Sequence, residues 1–173
     1  MLLLHRNSVV ATDRLIDTVF AGEPTPRASA TLRSYITRLR RAIGPAGPTV
    51  LHRRGQGYRL QVDDDAFDVA RFEQLAERGR RELIYGDPTV AVSTLRRTLA
   101  IWRGGAYEEF ADEPWVQPEA RRLDELRHVV NEHLIDAELE CGRAREMVGE
   151  LERLVAAEPF RDGFRRCLGG ARA

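Results

Sequence analysis

Apolar residues in the first third of the chain follow the spacing of one short strand and one short helix. Val9-Val10 favours a strand, and a helix is predicted over residues 12–20 with Thr12 as its N-terminal cap. The segment Gly22-Glu23-Pro24-Thr25-Pro26 then breaks the chain. The apolar face of this first helix is made by Leu15, Ile16, Val19 and Phe20.

A longer helix is predicted from Ala28 to Ile43, where the helical pattern stops at Gly44-Pro45. One side of this helix is apolar and is expected to point into the core. The opposite side is polar and basic. The apolar face consists of Leu32, Ile36, Leu39 and Ile43, flanked by Tyr35 and Ala42. The polar face consists of Arg27, Ser34, Thr37, Arg38 and Arg41, with Arg33 and Arg40 at one edge.

A β-hairpin is predicted after this helix. Thr49-Val50-Leu51 and the segment Tyr58–Val62 have strand character, and Arg53-Arg54-Gly55-Gln56-Gly57 between them is expected to form the turn. Gly55 and Gly57 are interpreted as turn residues with positive φ. The predicted order is therefore helix, turn, helix and hairpin.

The remainder of the chain is predicted to be helical throughout. Helices are expected at about 68–85, 88–103, 115–141, 144–157 and 160–168. Asp87-Pro88 has the pattern of a cap followed by proline at the first helical position. A weak repeat at an offset of 56 residues aligns six positions and indicates stacked helical hairpins. The aligned positions are Leu83, Gly86, Val92, Leu95, Leu99 and Ala100 with Leu139, Gly142, Val148, Leu151, Val155 and Ala156.

The net charge of zero conceals two halves of opposite sign. Residues 1–62 carry ten arginines against three acids, a net +7, and residues 63–173 carry 17 arginines against 24 acids, a net −7. We therefore place a domain boundary at Asp63-Asp64-Asp65, with domains at 1–62 and 63–173. All 27 cations are arginine, which codon bias in a GC-rich genome explains, and the lack of lysine excludes a Walker phosphate loop.

The basic half predicts a nucleic-acid partner. No acidic residue occurs between Glu23 and Asp63. Arginine suits bidentate contacts to phosphates and to guanine in the major groove, and a basic ribbon beside such a helix can lie along a minor groove or phosphate strand. The predicted DNA-binding residues are Arg33, Ser34, Thr37, Arg38, Arg40 and Arg41 on the helix and Arg53 and Arg54 in the hairpin. The alternative is a solvated helix whose arginines pair with acids of the same chain.

Two sets of motifs resemble a known family. The segments Thr31–Gly44 and Arg54-Gly55-Gln56-Gly57-Tyr58-Arg59-Leu60 resemble the recognition helix and wing of OmpR-type winged-helix proteins. The second half is similar to the bacterial transcriptional activator domain, a tetratricopeptide-like helical module. The segments that carry this second likeness are Asp68-Val69-Ala70-Arg71-Phe72, Gly86-Asp87-Pro88, Leu99-Ala100-Ile101-Trp102-Arg103-Gly104 and Ala111-Asp112-Glu113-Pro114. In this order the motifs resemble the Streptomyces antibiotic regulatory protein family.

The resemblance implies a mainly α fold, with a partial winged helix-turn-helix and its hairpin wing followed by a tetratricopeptide-like domain. It implies a transcriptional activator, often of secondary-metabolite genes in actinobacteria, that binds direct repeats of double-stranded DNA as a dimer. Carried over by position, Thr37, Arg38 and Arg40 match family positions that touch DNA backbone or bases, and Arg54 matches the wing arginine. The acidic half is expected to confer solubility or to meet partners such as RNA polymerase.

The sequence departs from the family pattern at both ends. Family members carry a small antiparallel sheet and a full first helix before the equivalent of Leu2-Leu3-Leu4-His5, and further helices beyond Arg165-Arg166-Cys167-Leu168. We expect either a misplaced start site or a truncated relic. In the second case only a helical protein-interaction module would remain, with Phe72, Tyr85, Trp102, Tyr107, Phe110 and Trp115 as surface candidates or, by preference, as core and loop anchors.

An enzyme is not predicted, and neither is a cofactor or metal. Glu125 and His128 have the Glu-x-x-His spacing of di-iron bundles, with Glu132, His133 and Asp136 nearby, but no second such motif occurs. Recognisable nucleophile, zinc-helix and Cys-x-x-Cys motifs are also missing. Cys141 and Cys167 lack metal-ligand spacing and favour a reducing cytoplasm, and no apolar run is long enough for a membrane helix.

Overall fold

The computed structural model describes residues 1–20, 22, 26–157 and 162–172. The chain divides into two compact units. The first comprises Met1–Ala66 together with Asp112–Pro118, and the second comprises Phe67–Ala111 and Glu119–Ala173. The predicted break at Gly22–Pro26 falls partly on residues 23–25, which lie outside the described residues, as do the first two residues of the helix predicted at 160–168.

The first unit consists of short elements around a three-stranded sheet. In chain order they are β1 (Val9–Ala11), α1 (Thr12–Val19), α2 (Ala28–Ile43), α3 (Gly47–Val50), β2 (Leu51–Arg54) and β3 (Gly57–Leu60). The sheet order is β1-β3-β2, and both pairings are antiparallel. The expected strand at Val9-Val10 and the helix from Ala28 to Ile43 are confirmed.

The hairpin is tighter than the sequence pattern indicates. Residues 49 and 50 belong to the helical turn α3, and the first strand begins at Leu51 and includes Arg53 and Arg54. The loop is therefore only Gly55-Gln56, with φ of +54° at Gly55. Gly57 is already a strand residue, paired with both Ala11 and Arg54. Its φ is not positive, contrary to the prediction. Glycine is required there because a Cβ would collide with the Val10 carbonyl oxygen.

Helix α2 buries a narrower face than predicted. Ala28, Leu32 and Ile36 are buried at a spacing of four residues, but Leu39 and Ile43 are 46% and 42% exposed. The helical wheel assigned all four apolar positions to the core. The described elements cover only the N-terminal part of this face, so its C-terminal part remains in solvent. The core of the unit consists of Val10, Leu15, Ile16, Ala28, Leu32, Ile36, Leu51, Tyr58 and Leu60.

Two polar residues tie distant parts of this unit together. The N-terminal cap of α1 is Ala11 and not Thr12, whose backbone N–H and hydroxyl both donate to the Gln56 carbonyl at 2.9 and 2.8 Å. Asn7, with φ of +61°, pairs its side-chain amide with the backbone of Val62 through two hydrogen bonds of 2.8 and 3.0 Å. Both contacts satisfy backbone groups at the ends of β3.

The second unit is built from helices. They are α4 (Asp68–Tyr85), α5 (Pro88–Leu99), α6 (Gln117–Glu140), α7 (Ala144–Ala157) and α8 (Asp162–Arg172). Asp87 caps α5 as expected, accepting from the Thr89 N–H at 2.7 Å with Pro88 at the first helical position. Helix α5 was predicted to reach residue 103 but ends at Leu99. Trp102 beyond it packs edge-on against Phe72, with ring centroids 5.4 Å apart.

The internal repeat corresponds to equivalent core positions. Leu95 on α5 and Leu151 on α7 align at the offset of 56 residues, and both are fully buried. Helix α4 ends directly before Gly86, and α6 ends two residues before the aligned Gly142. This is the pattern expected of stacked helical hairpins. No helix in the described part of the chain has the length and hydropathy needed to cross a membrane.

Candidate nucleic-acid interface

The solvent face of α2 carries most of the predicted DNA-binding side chains. Arg33, Ser34, Thr37, Arg38 and Arg41 are all exposed, and they follow one side of the helix from its middle to its C-terminal end. The local sequence explains this placement, because the i, i+4 series Ala28, Leu32 and Ile36 fixes the buried side. The helix ends at Gly44, whose φ is +88°.

Four arginines of this region have no side-chain partner among the residues that the structure describes. Arg33, Arg38, Arg41 and Arg54 form no salt bridge or hydrogen bond from their side chains within the residues that the structure describes. The alternative interpretation predicts ion pairs for these arginines, and the described residues of the first unit provide none to these four. An unpaired guanidinium on an exposed helix face keeps its full charge and all its donors available for a polyanion.

Two predicted residues are already engaged within the protein. Arg40 is half-buried, and its Nε donates to the Leu51 carbonyl oxygen at 2.7 Å, which links α2 to β2. The Thr37 hydroxyl donates to the Arg33 carbonyl oxygen one turn earlier at 2.9 Å. Arg40 therefore has a structural contact in addition to any role in binding, and the Thr37 hydroxyl must rotate before it can donate to a phosphate.

The wing presents its two arginines from a strand instead of a flexible turn. Arg53 and Arg54 are the last residues of β2, opposite Tyr58 and Gly57 on β3. Both are exposed, and the Arg53 Nε makes one long contact to the Gly55 carbonyl oxygen at 3.4 Å. Successive strand residues point to opposite sides of the sheet, so the two guanidiniums leave the hairpin in different directions.

Sequence reasoning passed over a row of residues across the sheet. Arg59 on β3 is paired with His52 on β2 and with Val9 on β1. The Nε of Arg59 and the Nε2 of His52 are buried and have no hydrogen-bond partner in the described part of the chain, while His52 Nδ1 contacts the Thr49 carbonyl oxygen at 2.9 Å. The Gly57-Tyr58-Arg59 alternation could have placed Arg59 on the face opposite Tyr58.

The aromatic and histidine candidates of the second unit have different surroundings. Phe72 and Trp102 are core or loop anchors, as predicted. Tyr85 is 82% exposed and Phe110 is also exposed, so these two side chains do not anchor the core. Among the described residues no group of three or more histidine, cysteine, aspartate or glutamate side chains is arranged to hold a metal ion. His128 instead lies edge-on to Phe164, with centroids 6.2 Å apart.

Comparison of the chain with known protein families identifies its family. Residues 67–173 match the family described as "Bacterial transcriptional activator domain", and residues 1–60 match "Transcriptional regulatory protein, C terminal". The chain belongs to the Streptomyces antibiotic regulatory protein family. The resemblance inferred from the motifs and the mainly α fold class are thereby confirmed.

Relatives of this family cover nearly the whole chain. The chain is 37% identical to "Transcriptional regulatory protein MoaR1" of Mycobacterium tuberculosis over 95% of its own length and 54% of that protein. It is 34% identical to "Regulatory protein DnrI" of Streptomyces peucetius over 95% of its length and 63% of that protein. The chain therefore spans about half the length of the relatives that it matches, between 42% and 63% for MoaR1, EmbR and DnrI.

A solved structure agrees closely with the fold. It is described as "Mycobacterium tuberculosis EmbR in complex with low affinity phosphopeptide". The TM-score is 0.93 at 32% sequence identity, covering 99% of this chain and 46% of the EmbR chain. This family member thus shares both the winged-helix arrangement and the helical module.

Proposed function

We propose that this protein is a sequence-specific DNA-binding transcriptional regulator. Residues 1–62 bind double-stranded DNA, with α2 in the major groove and the β2–β3 wing on the adjacent minor groove or backbone. The observation that carries the proposal is a set of four exposed arginines on α2 and β2 that pair with no described residue, namely Arg33, Arg38, Arg41 and Arg54. The names of the relatives, which describe regulatory proteins, support it.

We further propose that the regulator is an activator of actinobacterial secondary-metabolite genes that binds direct repeats as a dimer. Its acidic module, residues 63–173, would then meet RNA polymerase or another protein of the transcription machinery. The family membership and the net charge of −7 on this half support these assignments. A duplex carrying two selected repeats should bind two copies cooperatively, whereas a duplex carrying one repeat should bind a single copy more weakly.

The direct test is a titration of DNA binding across salt concentration. The duplex is first selected from a randomised pool by the full chain, and its affinity is then measured by fluorescence anisotropy. If five to seven arginines neutralise phosphates, log K falls against log[salt] with a slope of about −4.5 to −6.3, at roughly −0.9 per contact. Arg38→Ala and Arg54→Ala should each weaken binding and reduce the slope by about 1.

The matched control is Arg97→Ala on α5. Arg97 is also exposed and has no partner among the described residues, so its loss removes the same charge outside the proposed interface. We expect unchanged DNA affinity for this variant and unchanged helicity by circular dichroism for all three. A flat salt response, or a folded sample that selects no duplex, would contradict the proposal and favour a protein-interaction module.

A further inference from the structure

A cavity lies within the second unit, away from the arginines of α2 and β2. Its volume is about 210 Å³, it is partly open to solvent, and it is lined by the first turn of α4, the segment that follows α5, and α6. Pockets for drug-sized ligands have volumes of roughly 300–1,000 Å³, so this one suits a molecule with a single ring. None of its lining residues has a role in the proposed DNA contact.

Two of the motifs that identify the family converge on this cavity. Asp68, Val69 and Phe72 come from the motif at the start of α4, and Ile101, Trp102, Arg103 and Gly104 come from the motif after α5. These segments are about thirty residues apart in the sequence, and the fold brings them to the same space. Both motifs therefore contribute to the lining of this cavity.

The aromatic wall of the cavity is held in a fixed position. The Trp102 ring is fixed edge-on by Phe72, and the Arg127 guanidinium lies 4.7 Å from its centroid. Tyr107 lines the cavity with φ of +52°, a left-handed conformation that costs a non-glycine residue about 1 kcal/mol or more. Strained residues of this kind cluster at ligand sites, where the surrounding structure holds them in place.

The cavity also carries one full charge of each sign. Asp68 accepts a hydrogen bond from the Val69 N–H at 2.9 Å but forms no salt bridge within the described residues. Arg103 has no salt bridge or side-chain hydrogen bond within the same residues. Both side chains line the cavity beside the aromatic wall. A ligand complementary to this lining would carry an ammonium, a carboxylate and a flat apolar group.

We propose that this cavity binds a small aromatic zwitterion of the amino-acid type, with its ammonium on Asp68, its carboxylate on Arg103 and its ring against Trp102 and Tyr107. The ligand would be an effector distinct from DNA, and the site does not depend on the proposed DNA contact. Aromatic–aromatic contact supplies the affinity, and the two opposite charges supply the orientation.

The test uses ¹⁹F NMR of the full chain labelled with 5-fluorotryptophan. The protein has two tryptophans, so Trp115→Phe assigns the resonances and Trp115 serves as an internal reference. The probes are L-phenylalanine, phenethylamine, phenylacetate and glycine. L-phenylalanine should shift the Trp102 resonance saturably and leave that of Trp115 in place. Phenethylamine and phenylacetate should bind about three- to tenfold more weakly, and glycine should have no effect.

Two charge variants identify the ends of the ligand. Asp68→Asn should weaken the binding of L-phenylalanine and phenethylamine about three- to tenfold but leave that of phenylacetate unchanged. Arg103→Gln should weaken the binding of phenylacetate but leave that of phenethylamine unchanged. Asp65→Asn and Arg97→Gln remove the same charges at exposed positions outside the cavity and should change nothing. All four substitutions replace exposed side chains, so the variants are expected to remain folded.

Three results would overturn the proposal. The first is a Trp102 resonance that L-phenylalanine does not move in folded protein. The second is a shift that Asp68→Asn and Arg103→Gln leave unchanged, which would mean that the charges are not used. The third is binding of phenethylamine or phenylacetate as tight as that of L-phenylalanine, which would exclude a zwitterion as the ligand class.

Discussion

The arginines of the helical unit and those of α2 and the wing have different surroundings. In the helical unit many are paired with carboxylates, some on the same helix, as in Arg80 with Glu77, and some across helices, as in Arg122 with Glu73. The arginines in such pairs are Arg78, Arg80, Arg81, Arg96, Arg122 and Arg143. On α2 and β2 the described residues provide no carboxylate to Arg33, Arg38, Arg41 or Arg54.

This difference shows that neighbouring residues determine whether an arginine forms an ion pair within the protein or remains available to an external anion. An acid three or four residues away neutralises the guanidinium and contributes at most about 0.5 kcal/mol to the helix. Without such acids the same side chain contributes little to stability, but it can displace counterions from a nucleic acid. The acid-free stretch between Glu23 and Asp63 therefore leaves these guanidiniums available to the nucleic acid that we propose as the partner.

The largest expected effect concerns Glu138, which is 1% exposed and bound by two arginines. Its carboxylate accepts from Arg96 Nη2 at 2.5 Å and from Arg143 Nη1 at 2.7 Å. In the double variant Arg96→Met and Arg143→Met the buried charge has no partner. We expect the free energy of unfolding, measured by urea denaturation, to fall by about 3–5 kcal/mol.

A third substitution separates the loss of pairing from the loss of packing. Adding Glu138→Leu removes the buried charge and should restore most of the stability, because an apolar residue of similar volume does not need the arginines. Arg97→Met is the control for the loss of an exposed cation on α5. A double variant as stable as the parent would show that Glu138 is not held by these pairs.

An intermediate effect distinguishes two neighbouring arginines on α2. Arg40→Ala removes the 2.7 Å bond to the Leu51 carbonyl and should lower the stability of the protein by about 1–3 kcal/mol. Arg41→Ala should change stability by no more than about 0.5 kcal/mol but weaken DNA binding. Urea denaturation measures the stability of the two variants, and fluorescence anisotropy on the same samples measures their DNA binding. Equal losses of stability would remove the distinction between a structural and a binding arginine.

The smallest effect is a pH dependence from His133 in the helical unit. Burial lowers the pKa of His133, and Arg80 adds to this, whereas Asp136, Glu132 and Glu77 oppose it. The unfolded chain therefore takes up a proton at higher pH than the folded one. Stability is fully present above about pH 6.5 and decreases as the pH falls through that value toward the lower folded pKa.

His133→Gln should reduce the slope of unfolding free energy against pH between about pH 7.5 and 5.5, measured in urea. His5 in the first unit also has a pKa lowered by burial, with Arg14 and the N-terminal amine adding to the effect. The slope that remains in His133→Gln should therefore be reduced further by His5→Gln. An unchanged slope in both variants would contradict the lowered pKa of these half-buried histidines.

Local signals in the sequence predicted much of this fold, whereas contacts between distant residues escaped prediction. The end of α2 at Gly44 and the cap of α5 at Asp87-Pro88 depend on residues within one turn, and both were predicted. The exposure of Leu39 and Ile43 depends on how far the neighbouring elements extend along α2. A helical wheel contains no such information, because it describes one helix without its neighbours.

The candidate interface shows the same limit. Composition and helical spacing identified the exposed arginines of α2, because a stretch without acids is visible in the sequence. The hydrogen bond from Arg40 to Leu51 spans eleven residues, and the one from Asn7 to Val62 spans 55. No local sequence pattern predicts a hydrogen bond over such a separation. Only the fold showed which arginine of α2 also serves the structure.

The bond between Thr12 and the wing has a consequence for the thermodynamics of association. Because two donors of Thr12 hold the Gln56 carbonyl, the tip of the hairpin is ordered by the start of α1 before any partner arrives. A loop ordered only on contact loses conformational entropy during binding, which subtracts from the affinity. Here that loss belongs to folding, so in the proposed complex the wing would bind DNA without this entropic cost.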